Sequence, residues 1–150
     1  MQPSELKFFW WSRLSNKALR ILIADEQHFQ RMRIERLFNQ LGYYRVVPVH
    51  SLAELLTLVD YGSVPFDLVV INASMAQGEL NLFDFFLDHP QVHHALIYVD
   101  DAAQSPPVSA RGQQKIHVIG SAMPELPFIE RSMAVIESRQ PLVGTVISVS

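Results

Sequence analysis

The carboxylates and amides of this 150-residue chain collect where apolar runs give way to polar sequence. Asp25-Glu26 follows RILIA, Asn72 closes DLVVIN, Asp100-Asp101 follows ALIYV, and Gly120-Ser121 follows IHVI. Carboxylate oxygens so placed suit hard cations such as Mg²⁺ or Ca²⁺, and they repel phosphate. The sequence after the first run, Asp25-Glu26-Gln27-His28, offers no glycine-rich cradle. None of the patterns G-x-G-x-x-G, G-x-x-x-x-G-K-[ST] or G-x-S-x-G occurs. With no cysteine, disulfides, thiol catalysis and Cys-ligated zinc are excluded. His89, His93 and His94 suggest a metal cluster, but Pro90 breaks the register between them and no carboxylate has ligand spacing. They read as loop histidines.

The elements that must position these residues follow from periodicity. Apolar runs at 19–24, 45–49, 67–72, 95–99 and 116–119 read as strands, and three of them are nearly continuously apolar. That suits parallel strands covered on both faces. Between the first two, Ile34, Leu37, Phe38 and Leu41 mark one face of a helix over 28–41, stopped at Gly42. Ser51 and Glu54 have capping-box spacing, and Leu52, Leu55, Leu56 and Val59 repeat at helical intervals. A third helix is expected over 78–88, ended by His89-Pro90, and a last one over 128–137. Pro106-Pro107 and the lack of an apolar stripe leave 101–112, where a fourth helix belongs, as a loop or about one turn.

Strand and helix in alternation imply a doubly wound α/β fold, a flavodoxin-like three-layer α/β/α with five parallel strands. Pro48 puts the second strand at an edge, which matches the order 2-1-3-4-5. In such sheets ligands bind at the carboxyl ends of the strands, where the polar residues above collect. The expected division is an aromatic extension over 1–17, one domain over 18–138 and a tail over 139–150.

Composition agrees with a single folded domain. Hydrophobic residues make up 49% and charged residues 18% of the chain, which excludes a disordered segment or a coiled coil. A net charge of −3 gives no basic face for nucleic acid. No apolar run approaches the ~18 residues of a membrane span, and no signal-peptide pattern opens the chain, so a cytoplasmic domain is expected.

The run LRILIADEQHFQRMRIERLFNQLGY followed by FDLVVINASM resembles the receiver (CheY-like) domain of two-component response regulators. The resemblance spans about 18–137 and rests on motif order and spacing. It implies that Asp25-Glu26 stands where an acidic pair holds Mg²⁺. Asn72 occupies the position of the phosphoacceptor Asp, and Asp100 that of the Thr or Ser after the fourth strand. The conserved Lys of receivers falls near Gly120, where this chain has none; Lys115 begins the strand instead. The family's switching aromatic on the fifth strand maps to His117, or to Ile116 in a register one shorter.

These substitutions carry a chemical consequence. A carboxamide oxygen is a far poorer nucleophile toward phosphorus than a carboxylate. Asp100 would set negative charge against the phosphoryl oxygens, at roughly 4 kcal/mol for unit charges ~4 Å apart at an effective dielectric near 20. The expectation is a pseudo-receiver: the fold kept and the phosphorelay chemistry lost, with no enzyme activity. No cofactor is required. Asp25, Glu26 and Asp100 could still hold Mg²⁺, although solvated or Arg-paired loop carboxylates are the plainer reading. His117, titrating near neutrality, could act as a switch; a satisfied edge-strand histidine is the plainer one.

Partner contacts are expected to carry the function: docking to a protein or homodimerisation, cued by a partner, a small ligand or protein concentration. Phe8, Phe9, Trp10 and Trp11 form an aromatic cluster that packs on the parent domain or meets a second copy. Leu80, Leu82, Phe83, Phe85, Phe86 and Leu87 cover nearly every side of the third helix, so either both its faces are buried by this domain and its extensions or Leu82 and Phe85 form part of an interface. Arg31, Arg33, Arg36 and Arg45 give a basic patch around the first helix, a solvated face or an anion site. Val143, Thr145, Ile147 and Val149 alternate like an additional strand. Two other readings stay open: a flavodoxin-like enzyme or nucleotide binder, and the N-terminal regulatory half of a longer regulator.

Overall fold

A computed structural model of the protein describes residues 18–99, 115–121 and 123–139. The aromatic cluster at 8–11, Asp100, the 101–112 segment and the alternating tail lie outside the described residues. Five parallel strands form one sheet in the order β2-β1-β3-β4-β5. They are β1 (Arg20–Ala24), β2 (Arg45–Val49), β3 (Phe66–Asn72), β4 (Val92–Tyr98) and β5 (Ile116–Ile119). The helices are α1 (His28–Gln40), α2 (Leu52–Tyr61), α3 (Leu82–Leu87) and α4 (Leu126–Arg139), with a 3₁₀ turn at Ala73–Ala76. This is the flavodoxin-like arrangement expected from the sequence, and Pro48 sits on the edge strand opposite Ile23.

Strand alternation divides the core into two layers. Leu22, Val69, Ile71, Ala95 and Ile97 pack with α2 and α3 on one face. Ile21, Ile23, Leu68, Val70 and Leu96 pack with Ile34 and Phe38 of α1 and Ile129, Met133 and Ile136 of α4 on the other. The interior of β1 is fully buried, because sheet and helices leave it no wet face.

Local signals fix where the helices begin and end. Gly42, at φ +96°, closes α1: its N–H donates to Asn39 O (3.0 Å), and the Tyr43 N–H donates to Phe38 O (3.0 Å). The Tyr43 ring meets Phe38 edge-on at 6.1 Å, completing a Schellman stop with its hydrophobic contact. Ser51 caps α2 by accepting from Glu54 N (3.1 Å). Glu54 reaches back to the His50 N–H, one residue earlier than a capping box would have it.

Two elements differ from expectation. The helix expected over 78–88 begins only at Leu82, because Gly78 adopts φ +77° and Asn81 caps the helix by accepting from Asp84 N (3.2 Å). Strand β4 begins three residues before the apolar run. It takes in His93 and His94 as an exposed and a buried position, so these are strand and not loop histidines. Leu82, an interface candidate in one of the two readings, is buried in the α2/α3 layer as the other reading has it, while Phe85 is half-buried with its ring against Phe86 and His89. The short helix uses its apolar girth to plug the core.

Candidate functional site: the carboxyl ends of β1, β3 and β4

Asp25 leaves the end of β1 and is only 1% exposed, although it is a carboxylate. Its oxygens are engaged from three sides. The Gln27 N–H donates to Oδ1 (2.8 Å), Asn72 Nδ2 donates to Oδ2 (3.2 Å), and the Tyr98 hydroxyl donates to the same Oδ2. Arg31 Nη1 donates to the Asp25 carbonyl oxygen (2.6 Å), placing a cation over the group without taking the carboxylate. A carboxylate has about four acceptor sites, so three donors nearly saturate it.

The strand order explains how Tyr98 takes part. Asn72 is paired with Tyr98 across β3 and β4, and Ala24 with Ile71 across β1 and β3. With neighbouring strands ~4.8 Å apart, β1 and β4 stand about 10 Å from each other across β3. Tyr98 reaching from β4 and Asp25 reaching from the end of β1 close that gap between them, with the tyrosine ring in the apolar layer. Burial, and then the hydrogen bond to the Asp25 carboxylate, hold the Tyr98 hydroxyl far above its ordinary range, with Arg31 opposing. Tyr98 is therefore a fixed neutral donor.

Asn72 works from both ends of its amide. Nδ2 donates to Asp25, while Oδ1 accepts from Ser74 N (3.0 Å) and caps the 3₁₀ turn. The oxygen that would have to attack phosphorus is pinned to a backbone donor. An aspartate at this position would set a second carboxylate about 3 Å from the first, and such pairs need a proton or a cation between them. The amide supplies the missing positive end itself.

The other expected site residues divide clearly. Glu26 is exposed, whereas Asp25 beside it is buried. Gly120 is exposed beyond the end of β5. Asp100 lies outside the described residues. His117 is half-buried on the edge strand, its ring 6.3 Å from that of His94 on β4. His89 and His93 turn to separate carboxylates, Asp60 (2.9 Å) and Asp67 (3.3 Å). Among the described residues no group of three or more His, Asp or Glu could hold a metal ion. The arginine patch also splits, with Arg31 bound at the site and Arg45 at the opposite end of the sheet. Sequence reasoning missed Tyr98 and placed Arg31 only in the basic patch around the first helix. The available signal was a lone hydroxyl-bearing ring in the otherwise aliphatic ALIYV.

Similarity to solved structures bears on the fold. The chain superposes on a response regulator receiver domain (CheY-like) from Methylobacillus flagellatus with a TM-score of 0.62 at 13% identity, covering 79% of this chain and 98% of that one. It carries the receiver fold. The N-terminal domain of a response regulator/sensory box/GGDEF 3-domain protein from Carboxydothermus hydrogenoformans aligns at 20% identity, TM-score 0.55, over 79% and 94% of the two chains. A putative pilus assembly-related protein from Burkholderia pseudomallei aligns at 19% identity, TM-score 0.61, over 82% and 92%. No protein-family model and no curated protein sequence matches the chain. Among the described residues no helix is long and apolar enough to cross a membrane.

Proposed function

We propose that this chain is a pseudo-receiver that takes up no phosphoryl group and acts in bacterial signalling through protein–protein contact or self-association. The observation that supports it is the engaged state of Asp25. The carboxylate that would hold Mg²⁺ already accepts from Tyr98, Asn72 and the Gln27 N–H. Mg²⁺ requires near-octahedral oxygen ligation and would have to displace buried donors to obtain it. The residue at the phosphoacceptor position is an amide whose oxygen is occupied. With transfer chemistry opposed at both points, the conserved fold is left as a surface for contacts. The same fold in a protein named for pilus assembly suits a contact role for the module.

Incubating the full chain with acetyl phosphate and Mg²⁺, followed by intact-mass measurement, tests this. No phosphoryl mass increment is expected, and a stable adduct at residue 72 would end the reading. Light scattering over a concentration series tests self-association. A mass that stays at one chain throughout removes the homodimer and assigns the contact to a different protein.

A further inference from the structure

A second concavity lies away from the strand ends, on the flank where α1 runs beside the start of α4. It has a volume of about 290 Å³. Arg33 and Arg36, one helical turn apart on α1, form one wall, and both are exposed. Neither guanidinium has an ion pair or hydrogen bond among the described residues. Leu37, Met123 and Leu126 supply an apolar floor and opposite wall. Glu125 contributes a single carboxylate, leaving the cavity with a net positive charge.

Such a lining combines what a small-molecule site needs: an apolar body and a few polar groups that fix orientation. Guanidinium groups present forked donors that match the oxygens of a carboxylate or phosphate, and two of them within one turn can share one anionic head. The volume is at the small end of ligand pockets, which run from roughly 300 Å³ upward, so it suits a single ring and not a dinucleotide. We propose that the α1/α4 cavity binds a small amphiphilic anion, an aryl or alkyl phosphate or carboxylate. Arg33 and Arg36 hold its head, and the Leu37–Met123–Leu126 surface holds its apolar body. This site is separate from the closed strand-end site and does not depend on whether the chain is a pseudo-receiver.

The test is NMR titration of the isotopically labelled full chain with three probes: phenyl phosphate, inorganic phosphate and benzyl alcohol. Phenyl phosphate is expected to shift the Arg33 and Arg36 Nε–Hε signals and the Met123 methyl together, and to bind more tightly than either other probe. Arg33→Gln/Arg36→Gln is expected to weaken phenyl phosphate by about tenfold, the size of one charge-assisted hydrogen bond. Glu125→Gln removes the opposing carboxylate and is expected to tighten it. Equal binding of inorganic phosphate would remove the apolar half of the proposal, and equal binding of benzyl alcohol the ionic half. Unchanged affinity in the double arginine variant, or weaker binding in Glu125→Gln, would overturn it. The substituted positions are exposed, so an unchanged backbone spectrum shows that any loss is local.

Discussion

Two regions beside α1 handle charge in opposite ways. Near its start, Asp25 is buried and its carboxylate is met by a hydroxyl, an amide and a backbone N–H. Along its exposed flank, Arg33 and Arg36 line a cavity and have no ion pair among the described residues. A buried charge must be satisfied from within, since leaving it bare costs several kcal/mol. An exposed charge is satisfied by water and can be offered to a ligand. On the proposed reading the closed region is structural, though it occupies the place where receivers do chemistry, while the open region offers the groups of a binding site.

The strongest way to break this contrast is to empty the closed site. Tyr98→Ala removes a fully buried ring and the hydroxyl on Asp25 together, with an expected loss of about 3–5 kcal/mol in urea unfolding. Tyr98→Phe keeps the ring and isolates the hydroxyl, with an expected loss of about 1–3 kcal/mol. If that variant is as stable as the parent, the hydrogen bond is not what closes the site.

Asn72→Asp comes next, at about 1–3 kcal/mol near neutral pH, because it swaps a donor for a second carboxylate. Unlike the tyrosine variants, it should recover stability on adding Mg²⁺, measured as a rise in Tm. It should still take up little phosphate from acetyl phosphate. Efficient labelling would show the site to be more intact than its geometry implies.

A smaller effect tests another tyrosine–carboxyl pair, on the α1/α4 side of the sheet. Tyr43 hydrogen-bonds Glu137 of α4, and burial raises the Glu137 carboxyl above its ordinary value of 4.5. The folded state then holds this proton more tightly than the unfolded chain does. Its contribution is fully present below about pH 4.5 and fades as pH rises through the higher folded value. Unfolding of Glu137→Gln across that window should lack the decline. Matching pH profiles for parent and variant would assign the decline elsewhere.

The least effect on stability is expected from Arg33→Gln/Arg36→Gln, within about 0.5 kcal/mol, since exposed helix positions between good helix formers rarely matter more. A thermal melt checks it. A larger loss would mean that these arginines support the fold instead of standing free.

Much of this molecule was legible in the chain. The apolar runs of β1 and β3 are buried on both faces and therefore carry no polar interruption, so their extents read within a residue. The Ser51 cap and the Gly42 stop act through backbone groups within a few residues of themselves, which a sequence displays directly. The start of β4 was obscured because His93 and His94 look like loop residues until strand alternation assigns one to each face. The third helix was overextended because its start is set by the left-handed Gly78 and the Asn81 cap, and the apolar pattern runs on through both. Leu82 could be read as core or as interface, because a six-residue helix can bury more of its circumference than a single stripe.

Sequence alone determined that an amide stands at residue 72 and that five apolar runs alternate with helical segments. One proline put the second strand at an edge, and the order 2-1-3-4-5 came from matching that edge to the flavodoxin-like arrangement. Only the tertiary structure brought Tyr98 to Asp25, 73 residues away along the chain. That meeting depends on the spacing of two strands separated by a third, and no local pattern encodes such a distance. The pairing of α1 with the start of α4 around a cavity is tertiary for the same reason. Charges become satisfied or stay available according to what folding places beside them.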